Sequence, residues 1–159
     1  RAAMAAGAGA ASTLAAAGDA WADRAGGTSG ALWGLMLRAW SSAFSDDNAI
    51  GDADVVHGAR LALEAVTRLG RAKPGDKTLV DALVPFVDTL ESTYRSGNDL
   101  AKAWDAAATV ATTAAAETAV LSPKLGRARP LAARSIGHAD AGATSLAMIA
   151  TATASHIRG

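Results

Sequence analysis

Residues Gly26-Gly27-Thr28-Ser29-Gly30 stand directly before the strongly apolar run 31–37, Ala-Leu-Trp-Gly-Leu-Met-Leu. Glycines let the backbone turn sharply and approach a ligand closely. A helix that begins after them would direct unpaired N–H groups and the positive end of its dipole into the turn. Such a turn is a potential anion site, and phosphate is its usual occupant. An ordinary helix cap explains the same residues, so this stretch alone does not establish a ligand.

The composition favours a helical protein. Fifteen basic and fifteen acidic side chains cancel, which argues against a broad nucleic-acid surface. The absence of cysteine excludes thiol chemistry, disulfides and cysteine-ligated metals. Half of the residues are hydrophobic but only 4% are aromatic, because alanine dominates the count, and alanine favours closely packed helices. No stretch has the composition of a membrane span or a signal peptide, so we expect a cytoplasmic protein with neither a nucleic-acid nor a membrane partner.

Hydrophobic spacing and capping signals divide the chain into six helices. The expected ranges are 2–23, 29 or 30 to about 44, 53–69, 78–94, 98–121 and 141–157. The small residues of the first helix predict close approach to a neighbour and burial. Thr78 and Asp81 form a predicted capping pair, and Asn98 is the predicted cap of the fifth helix. No strand pattern is long enough to be convincing, so the predicted fold is an all-α antiparallel helical bundle.

Three loops carry most of the unusual residues, at 26–30, 70–79 and 126–142. They join the first helix to the second, the third to the fourth, and the fifth to the sixth. Because alternate loops of an up-and-down helical array lie at the same end, we expect the three loops to cluster. That clustering would favour a binding site more strongly than any one loop does.

Four segments together resemble the nucleotide-binding (L-type, C-terminal) domain of dihydroxyacetone kinases. These are 25–34, 74–85, 126–128 and 134–143, and they occur in the family's order over nearly the whole chain. The resemblance implies a fold of eight antiparallel helices that form a barrel. Six of them are visible here, so residues 1–159 are expected to be a partial, N-terminally incomplete domain.

The resemblance implies an ATP or ADP site on the first two loops. Gly27, Thr28 and Ser29 match the loop that contacts the nucleotide phosphates through N–H and hydroxyl groups. Gly70 and Leu79 match positions that line the adenine pocket, where a bare backbone and an apolar side chain can enclose a flat base.

The third loop has further implied contacts. Arg127 matches a nucleotide-contacting arginine, although a solvated basic cluster is the simpler interpretation of the arginines and lysine around it. Asp140-Ala141-Gly142 matches an Asp-Pro-Gly turn beside the adenosine. Ala141 departs from the family pattern there and lacks the fixed φ of proline, so we expect a looser turn.

Magnesium ligands are not expected within this chain. The family holds two Mg²⁺ ions with aspartates of a Gly-Asp-x-Asp segment that lies upstream of the glycine loop. Gly51-Asp52-Ala53-Asp54 has that pattern but lies downstream. Asp52 and Asp54 are instead expected at the start of the third helix, where acidic residues complement the helix dipole. The Mg²⁺ ligands are then expected upstream of residue 1.

The predicted function is the ATP-binding domain of a kinase that phosphorylates dihydroxyacetone (glycerone) or a related short ketose. The resemblance implies that a separate domain or subunit holds the ketose through a histidine adduct, and a homodimer is left open. Without metal ligands or that domain, the segment alone is expected to be inactive and to hold no catalytic residue. Two alternatives remain: the ADP-binding subunit of a phosphotransferase-coupled dihydroxyacetone kinase, and the nucleotide domain of a fatty-acid kinase.

Overall fold

The computed structural model describes residues 2–70, 72–125 and 129–157, and every regular element within these ranges is helical. The α-helices are α1 Ala2–Ala5, α2 Ala10–Ala25, α3 Gly27–Ser41, α4 Asp52–Gly70, α5 Val80–Arg95, α6 Leu100–Glu117, α7 Ala132–Ser135 and α8 Ala141–Ile157. Short 3₁₀ turns lie at Thr118–Val120 and Arg129–Leu131. The all-α prediction is confirmed, and the six long helices are the six that the sequence predicted.

The chain forms two compact units, an N-terminal unit up to residue 71 and a C-terminal unit from residue 72. The first contains α1 to α4 and the second α5 to α8. None of the helices in the described ranges is both long and apolar enough to cross a lipid bilayer.

Glycines set the distance between α2 and α3 in the N-terminal unit. A Cβ atom on Gly34 would lie 2.8 Å from the carbonyl oxygen of Gly18, so no larger residue fits at this crossing. The rings of Trp21 and Trp33 stack beside it with centroids 5.2 Å apart. The predicted close approach of the first helix is confirmed. Its predicted burial is wrong, because Gly18 is the one buried residue of α2 among those whose exposure is described.

The predicted first helix is divided at Gly7, which has a positive φ of 75°. The second part, α2, is capped from outside by Asp46, whose carboxylate accepts from the backbone N–H of Ser12 at 2.8 Å and from its hydroxyl. These hydrogen bonds hold the pKa of Asp46 below its usual range, and the bond from the Ser12 hydroxyl has the largest effect. A Cβ on Gly9 would lie 2.3 Å from the Cα of Asp46, so the capping loop packs directly on the helix start.

Trp40 and Gly58 set the packing of α3 on α4. A Cβ on Gly58 would lie 2.0 Å from Cδ1 of Trp40, which shows that the indole rests on the α4 backbone. The core of this unit is completed by buried apolar side chains from α3 and α4: Trp33, Met36, Val56, Ala59, Ala62, Leu63, Ala65 and Val66.

In the C-terminal unit, α6 packs against both α5 and α8. Phe86 and Trp104 meet edge to face with ring centroids 5.1 Å apart. The indole N–H of Trp104 donates to the carbonyl oxygen of Ala150 at 2.8 Å, which ties α6 to α8. The largest fully buried apolar side chains of this unit all belong to α5: Val80, Leu83, Val87 and Leu90.

The cap of α6 differs from the prediction. The carboxylate of Asp99 accepts from the N–H of Lys102 at 2.8 Å, whereas the side-chain amide of Asn98 donates to the carbonyl oxygen of Thr93 at 3.1 Å. Both residue types cap helices well. Asn98 instead binds a carbonyl in the last turn of α5, and the cap of α6 lies one residue later than predicted.

Candidate functional site

The glycine loop is a one-residue connection between two helices. α2 ends at Ala25 and α3 begins at Gly27, with Gly26 between them. Gly26 and Gly27 have φ values of 61° and 62°, a region that side chains with a Cβ rarely adopt. The prediction that Ser29 or Gly30 caps this helix is wrong, because the two glycines let the helix begin at once.

The N-terminus of α3 presents open donors. No side chain caps this helix start. The N–H of Gly30 donates to the carbonyl oxygen of Gly26 at 3.1 Å, and it is the first N–H of α3 that has an acceptor within the helical turn. Gly27, Thr28 and Ser29 are exposed. Three backbone N–H groups and two hydroxyl side chains therefore belong to an exposed helix N-terminus, where the positive end of the helix dipole favours an anion.

The second loop is fixed by the carboxylate of Asp81. It accepts from the N–H of Gly75 at 2.5 Å and from the N–H of Thr78 at 2.7 Å. The hydroxyl of Thr78 accepts in turn from the N–H of Val80 at 3.2 Å. The predicted pairing of Thr78 with Asp81 is confirmed, and it holds the backbone that leads into α5.

Asp76 is buried, with 4% of its surface exposed. Its carboxylate accepts from the N–H of Lys73 at 3.1 Å and lies 3.7 Å from the ammonium of Lys124. The carbonyl oxygen of Asp76 also accepts from the N–H of Lys124 at 3.1 Å. Asp76 therefore joins its own loop to the segment just before the third loop.

Lys77 is equally buried, and its ammonium donates to two distant carbonyl oxygens. It reaches Leu121 at 3.0 Å and Ser135 at 2.6 Å. Asp76 thus binds Lys124, just before the third loop, and Lys77 binds Ser135 within it, so the second and third loops lie together.

Leu79, Asp140 and Gly142, three of the residues that the resemblance assigns to adenosine, lie close together in the C-terminal unit. A Cβ on Gly142 would lie 3.3 Å from the Cβ of Leu79 and 3.0 Å from Oδ2 of Asp140. The side chain of Leu79 is buried, with 6% exposed. Ala141, exposed, is the first residue of α8.

Asp140 caps α8. Its carboxylate accepts from the N–H of Ala143 at 2.8 Å, and its carbonyl oxygen accepts from the N–H of Thr144 at 2.9 Å. Burial raises the pKa of Asp140, and the charge of Asp81 adds to the rise, while the amides of the first helical turn and Lys77 oppose it. These hydrogen bonds anchor the turn at Ala141, which lacks the fixed φ of proline.

Thr118 is a contact residue that the sequence does not reveal. Its buried hydroxyl accepts from the N–H of Asp140 at 2.7 Å and donates to the carbonyl oxygen of Ala115 at 2.6 Å. Thr118 stands at the end of an alanine- and threonine-rich helix. Nothing in that local pattern distinguishes it from the exposed threonines before it.

The remaining predicted site residues divide between the two units. Thr28, Ser29 and Gly70 belong to the N-terminal unit, where Gly70 is the last residue of α4. Arg127 lies outside the described residues. The convergence of all three loops stays a prediction, whereas the convergence of the second with the third is confirmed by the bonds of Lys77.

Asp52 and Asp54 lie in the first turn of α4, as predicted. The carboxylate of Asp54 accepts from the N–H of Gly51 at 2.9 Å, which is a capping contact. In the described ranges no three His, Asp or Glu side chains are grouped as a metal site would require.

An apolar groove of about 530 Å³ runs between α6 and α8 and contains none of the predicted site residues. Its lining includes Thr112, Ala115, Thr144, Met148 and Thr151. The lining has no charged side chain, so it does not suit a phosphate group.

Comparison with known sequences identifies a family that matches nearly the whole chain. Residues 2–155 match the profile of the DAK2 domain. The chain is 54% identical over 142 residues to an L-erythrulose kinase of Pectobacterium atrosepticum, covering 89% of this chain and 24% of that one. It is 51% identical over 152 residues to a D-erythrulose kinase of Mycolicibacterium smegmatis, covering 96% of this chain and 26% of that one. The chain thus spans about a quarter of these kinases.

The chain is also similar to a protein that forms a separate subunit of its kinase. The chain is 35% identical over 121 residues to the ADP-binding subunit DhaL of the PEP-dependent dihydroxyacetone kinase of Escherichia coli, covering 76% of this chain and 58% of that one. Among solved structures, the native dihydroxyacetone kinase of C. freundii matches 92% of this chain and 24% of its own, with a TM-score of 0.67 and 26% identity. The same enzyme with AMP-PNP and Mg²⁺ matches 82% of this chain and 20% of its own, with a TM-score of 0.56 and 26% identity.

Proposed function

Because the chain belongs to the DAK2 domain family, we propose that it is the adenine-nucleotide-binding part of an ATP-dependent kinase that phosphorylates a short ketose. The observation that carries this proposal is the uncapped N-terminus of α3 at the family's glycine loop, with three exposed residues that offer donors. Two relatives that share half of the sequence are erythrulose kinases. A four-carbon ketose is therefore the substrate that we propose first, and dihydroxyacetone the second.

We assign the phosphates of the nucleotide to Gly27, Thr28 and Ser29. Backbone N–H groups at a helix N-terminus meet negative charge favourably, and the hydroxyls add two further donors. Hydrogen bonds to charged groups are the strong ones, at about 1.5–3 kcal/mol each. These residues position phosphate oxygens and do not themselves react.

We assign the adenosine to Leu79, Asp140, Ala141 and Gly142, and we add Gly70 to these residues from its sequence position alone. The contact of Gly142 with Leu79 puts a bare backbone beside an apolar residue, which suits the flat face of a base. Asp140, already anchored by the first turn of α8, is placed to orient that turn. Arg127 is proposed as a nucleotide contact from its sequence position alone.

Phosphoryl transfer needs a divalent metal to neutralise charge on the phosphates, and a related kinase was solved with AMP-PNP and Mg²⁺. Asp52 and Asp54 do not fit that role, because Asp54 accepts from Gly51 and both lie in a helical turn whose dipole they complement. We propose that residues outside 1–159 supply the Mg²⁺ ligands, and that a further domain or subunit holds the ketose. This segment then binds the nucleotide but does not catalyse transfer by itself.

The alternative is a separate ADP-binding subunit whose nucleotide is rephosphorylated in place, which the similarity to the E. coli subunit favours. The two proposals differ in whether ATP is exchanged at each turnover. The full-length protein should be incubated with erythrulose or dihydroxyacetone and with excess ATP and Mg²⁺. The first proposal predicts many turnovers with ATP as the phosphoryl donor, and the alternative predicts none without a phosphotransferase. A protein that binds neither ATP nor ADP in titration calorimetry would contradict both.

A further inference from the structure

Lys77 makes an unusual set of contacts for a lysine. It is 4% exposed, and its ammonium donates to the carbonyl oxygens of Leu121 at 3.0 Å and Ser135 at 2.6 Å. A buried charge is costly unless hydrogen bonds compensate it. Leu121 lies just before the third loop, and Ser135, the last residue of α7, lies within it. One side chain thus joins the segment before the loop to the middle of the loop.

The backbone of Lys77 is also unusual. Its φ of 59° is the one positive value at a non-glycine residue in the part of the chain that the structure describes. Glycine or asparagine adopts this conformation more readily than lysine does. A lysine at this position is therefore not explained by the needs of the turn, but the two hydrogen bonds of its ammonium explain it.

A shared carbonyl and a short stretch of backbone connect Lys77 to the start of α8. The carbonyl oxygen of Ser135, which accepts from Lys77, also accepts from the N–H of His138 at 3.2 Å. Asp140 follows two residues after His138, and its N–H donates to the hydroxyl of Thr118 at 2.7 Å. Lys77 therefore binds the segment that leads directly into the Asp140 cap.

Lys77 is joined to the other side of the adenine pocket through its own backbone. Thr78 follows it directly and is held by Asp81 at 2.7 Å, and Leu79 comes next. Leu79 is the residue that Gly142 contacts. The ammonium thus links the segment that carries Leu79 to the segment that carries Asp140 and Gly142.

We propose that Lys77 is a positioning residue of the base pocket, which holds Leu79 against the Asp140-Ala141-Gly142 turn and so sets the affinity for adenine. This inference rests on the proposed function, because it assumes that adenine binds beside Leu79. It assigns no contact between Lys77 and the phosphates, which we place on the N-terminus of α3.

The test uses the full-length protein with Lys77→Met, which keeps the length of the side chain but removes the ammonium. We expect Kd for adenosine and KM for ATP to rise about tenfold each, as the loss of one charge-assisted hydrogen bond implies. Binding of inorganic tripolyphosphate and kcat at saturating ATP should stay within about twofold. Lys77→Arg, which retains charge and donors, should recover most of the affinity for adenosine.

Lys124→Met is the matched control. It removes an exposed ammonium from the same group of loops, 3.7 Å from Asp76, and leaves the two carbonyl contacts of Lys77 intact. We expect adenosine to bind this variant as it binds the parent. Circular dichroism should show that each variant is folded, and Lys77→Gln, which keeps one donor group, replaces Lys77→Met if that variant unfolds.

Several results would overturn the inference. A folded Lys77→Met that binds adenosine like the parent, or one that loses tripolyphosphate binding equally, would show that Lys77 does not position the base pocket. Unfolding of both Lys77→Met and Lys77→Gln would make it a residue of the fold instead. If the parent itself bound no adenosine and no ATP, the proposed function would fail. That failure is distinguishable because it is measured on the parent protein and does not depend on any variant.

Discussion

Gly142 lies directly against Leu79. A Cβ at position 142 would stand 3.3 Å from the Cβ of Leu79 and 3.4 Å from its backbone nitrogen. Glycine within a helix makes the helix less stable than alanine does, by about 1 kcal/mol, so its presence in the first turn of α8 needs a reason. The close approach of the two helix starts supplies that reason, and it joins two loops that the sequence singled out.

Gly142→Ala should therefore destabilise the protein despite the better helix propensity of alanine. The new methyl group must displace Leu79 or Asp140, and overpacking of this kind costs about 1–3 kcal/mol. We also expect weaker binding of adenosine, because both displaced residues belong to the proposed base pocket. Urea unfolding and titration calorimetry measure the two effects. A variant that is more stable than the parent would contradict this packing.

Two glycines of α4 form a matched pair, because we expect alanine to have different effects on stability at the two positions. Gly58→Ala would place a methyl 2.0 Å from Trp40, so we expect a loss of stability of about 1–3 kcal/mol. Among the described residues, a Cβ on Gly70 would approach Leu32 at an ordinary 3.7 Å, so Gly70→Ala should be neutral or stabilise by up to about 1 kcal/mol. Thermal unfolding of the two variants checks the prediction, and equal effects of the two substitutions would refute it.

The raised pKa of Asp140 predicts a stability that depends on pH. Its ordinary pKa is about 4, and burial raises it in the folded protein. The folded state therefore binds the proton more tightly, so its stability falls as pH rises from the unfolded pKa through the folded pKa. Asp140→Asn keeps the acceptor for Ala143 but removes the charge. Its stability relative to the parent should therefore increase over this interval and stay constant above it. A stability difference that does not change with pH would show that Asp140 is not responsible.

Ser29→Ala should weaken binding of ADP and ATP by at most about tenfold, because it removes one hydroxyl and leaves the backbone donors of α3 in place. Thr28→Val, which keeps the shape of the side chain, should have an effect of similar size. Adenosine should bind both variants as it binds the parent. Titration calorimetry with the three ligands separates these outcomes, and an equal loss for adenosine would place these residues elsewhere in the site.

The helices whose ends depend on local chemistry could be predicted from the sequence. The range of α8 was predicted at 141–157, and α4 was predicted to within one residue at each end. The interruption at Gly7 was missed, since alanines on both sides favour a helix and a single glycine is only a modest penalty. The cap of α6 was misassigned because Asn98 and Asp99 are both good caps, and the contact with Thr93 decides between them.

The sequence motifs singled out two residues of the candidate site that lie close together, but not the connections that hold its loops. Family motifs singled out Leu79 and Gly142, and the structure shows them in contact. The roles of Lys77 and Thr118 depend on partners 58 and 22 positions away, and no local pattern encodes such distances. Leu79 is buried, so a charge at this position would destabilise the fold, and Leu79→Ala is the more suitable variant for a binding test.

The central claim is the proposal that Gly27, Thr28 and Ser29 bind the phosphates of an adenine nucleotide and that Leu79 binds its base. Titration calorimetry of ADP and of adenosine against full-length Gly27→Val and Leu79→Ala tests it most directly. Gly27 has a φ of 62°, which valine adopts only with strain, so Gly27→Val should weaken ADP far more than adenosine. Leu79→Ala should weaken both ligands by the same factor. If both variants remain folded by circular dichroism and bind ADP like the parent, the nucleotide assignment is wrong.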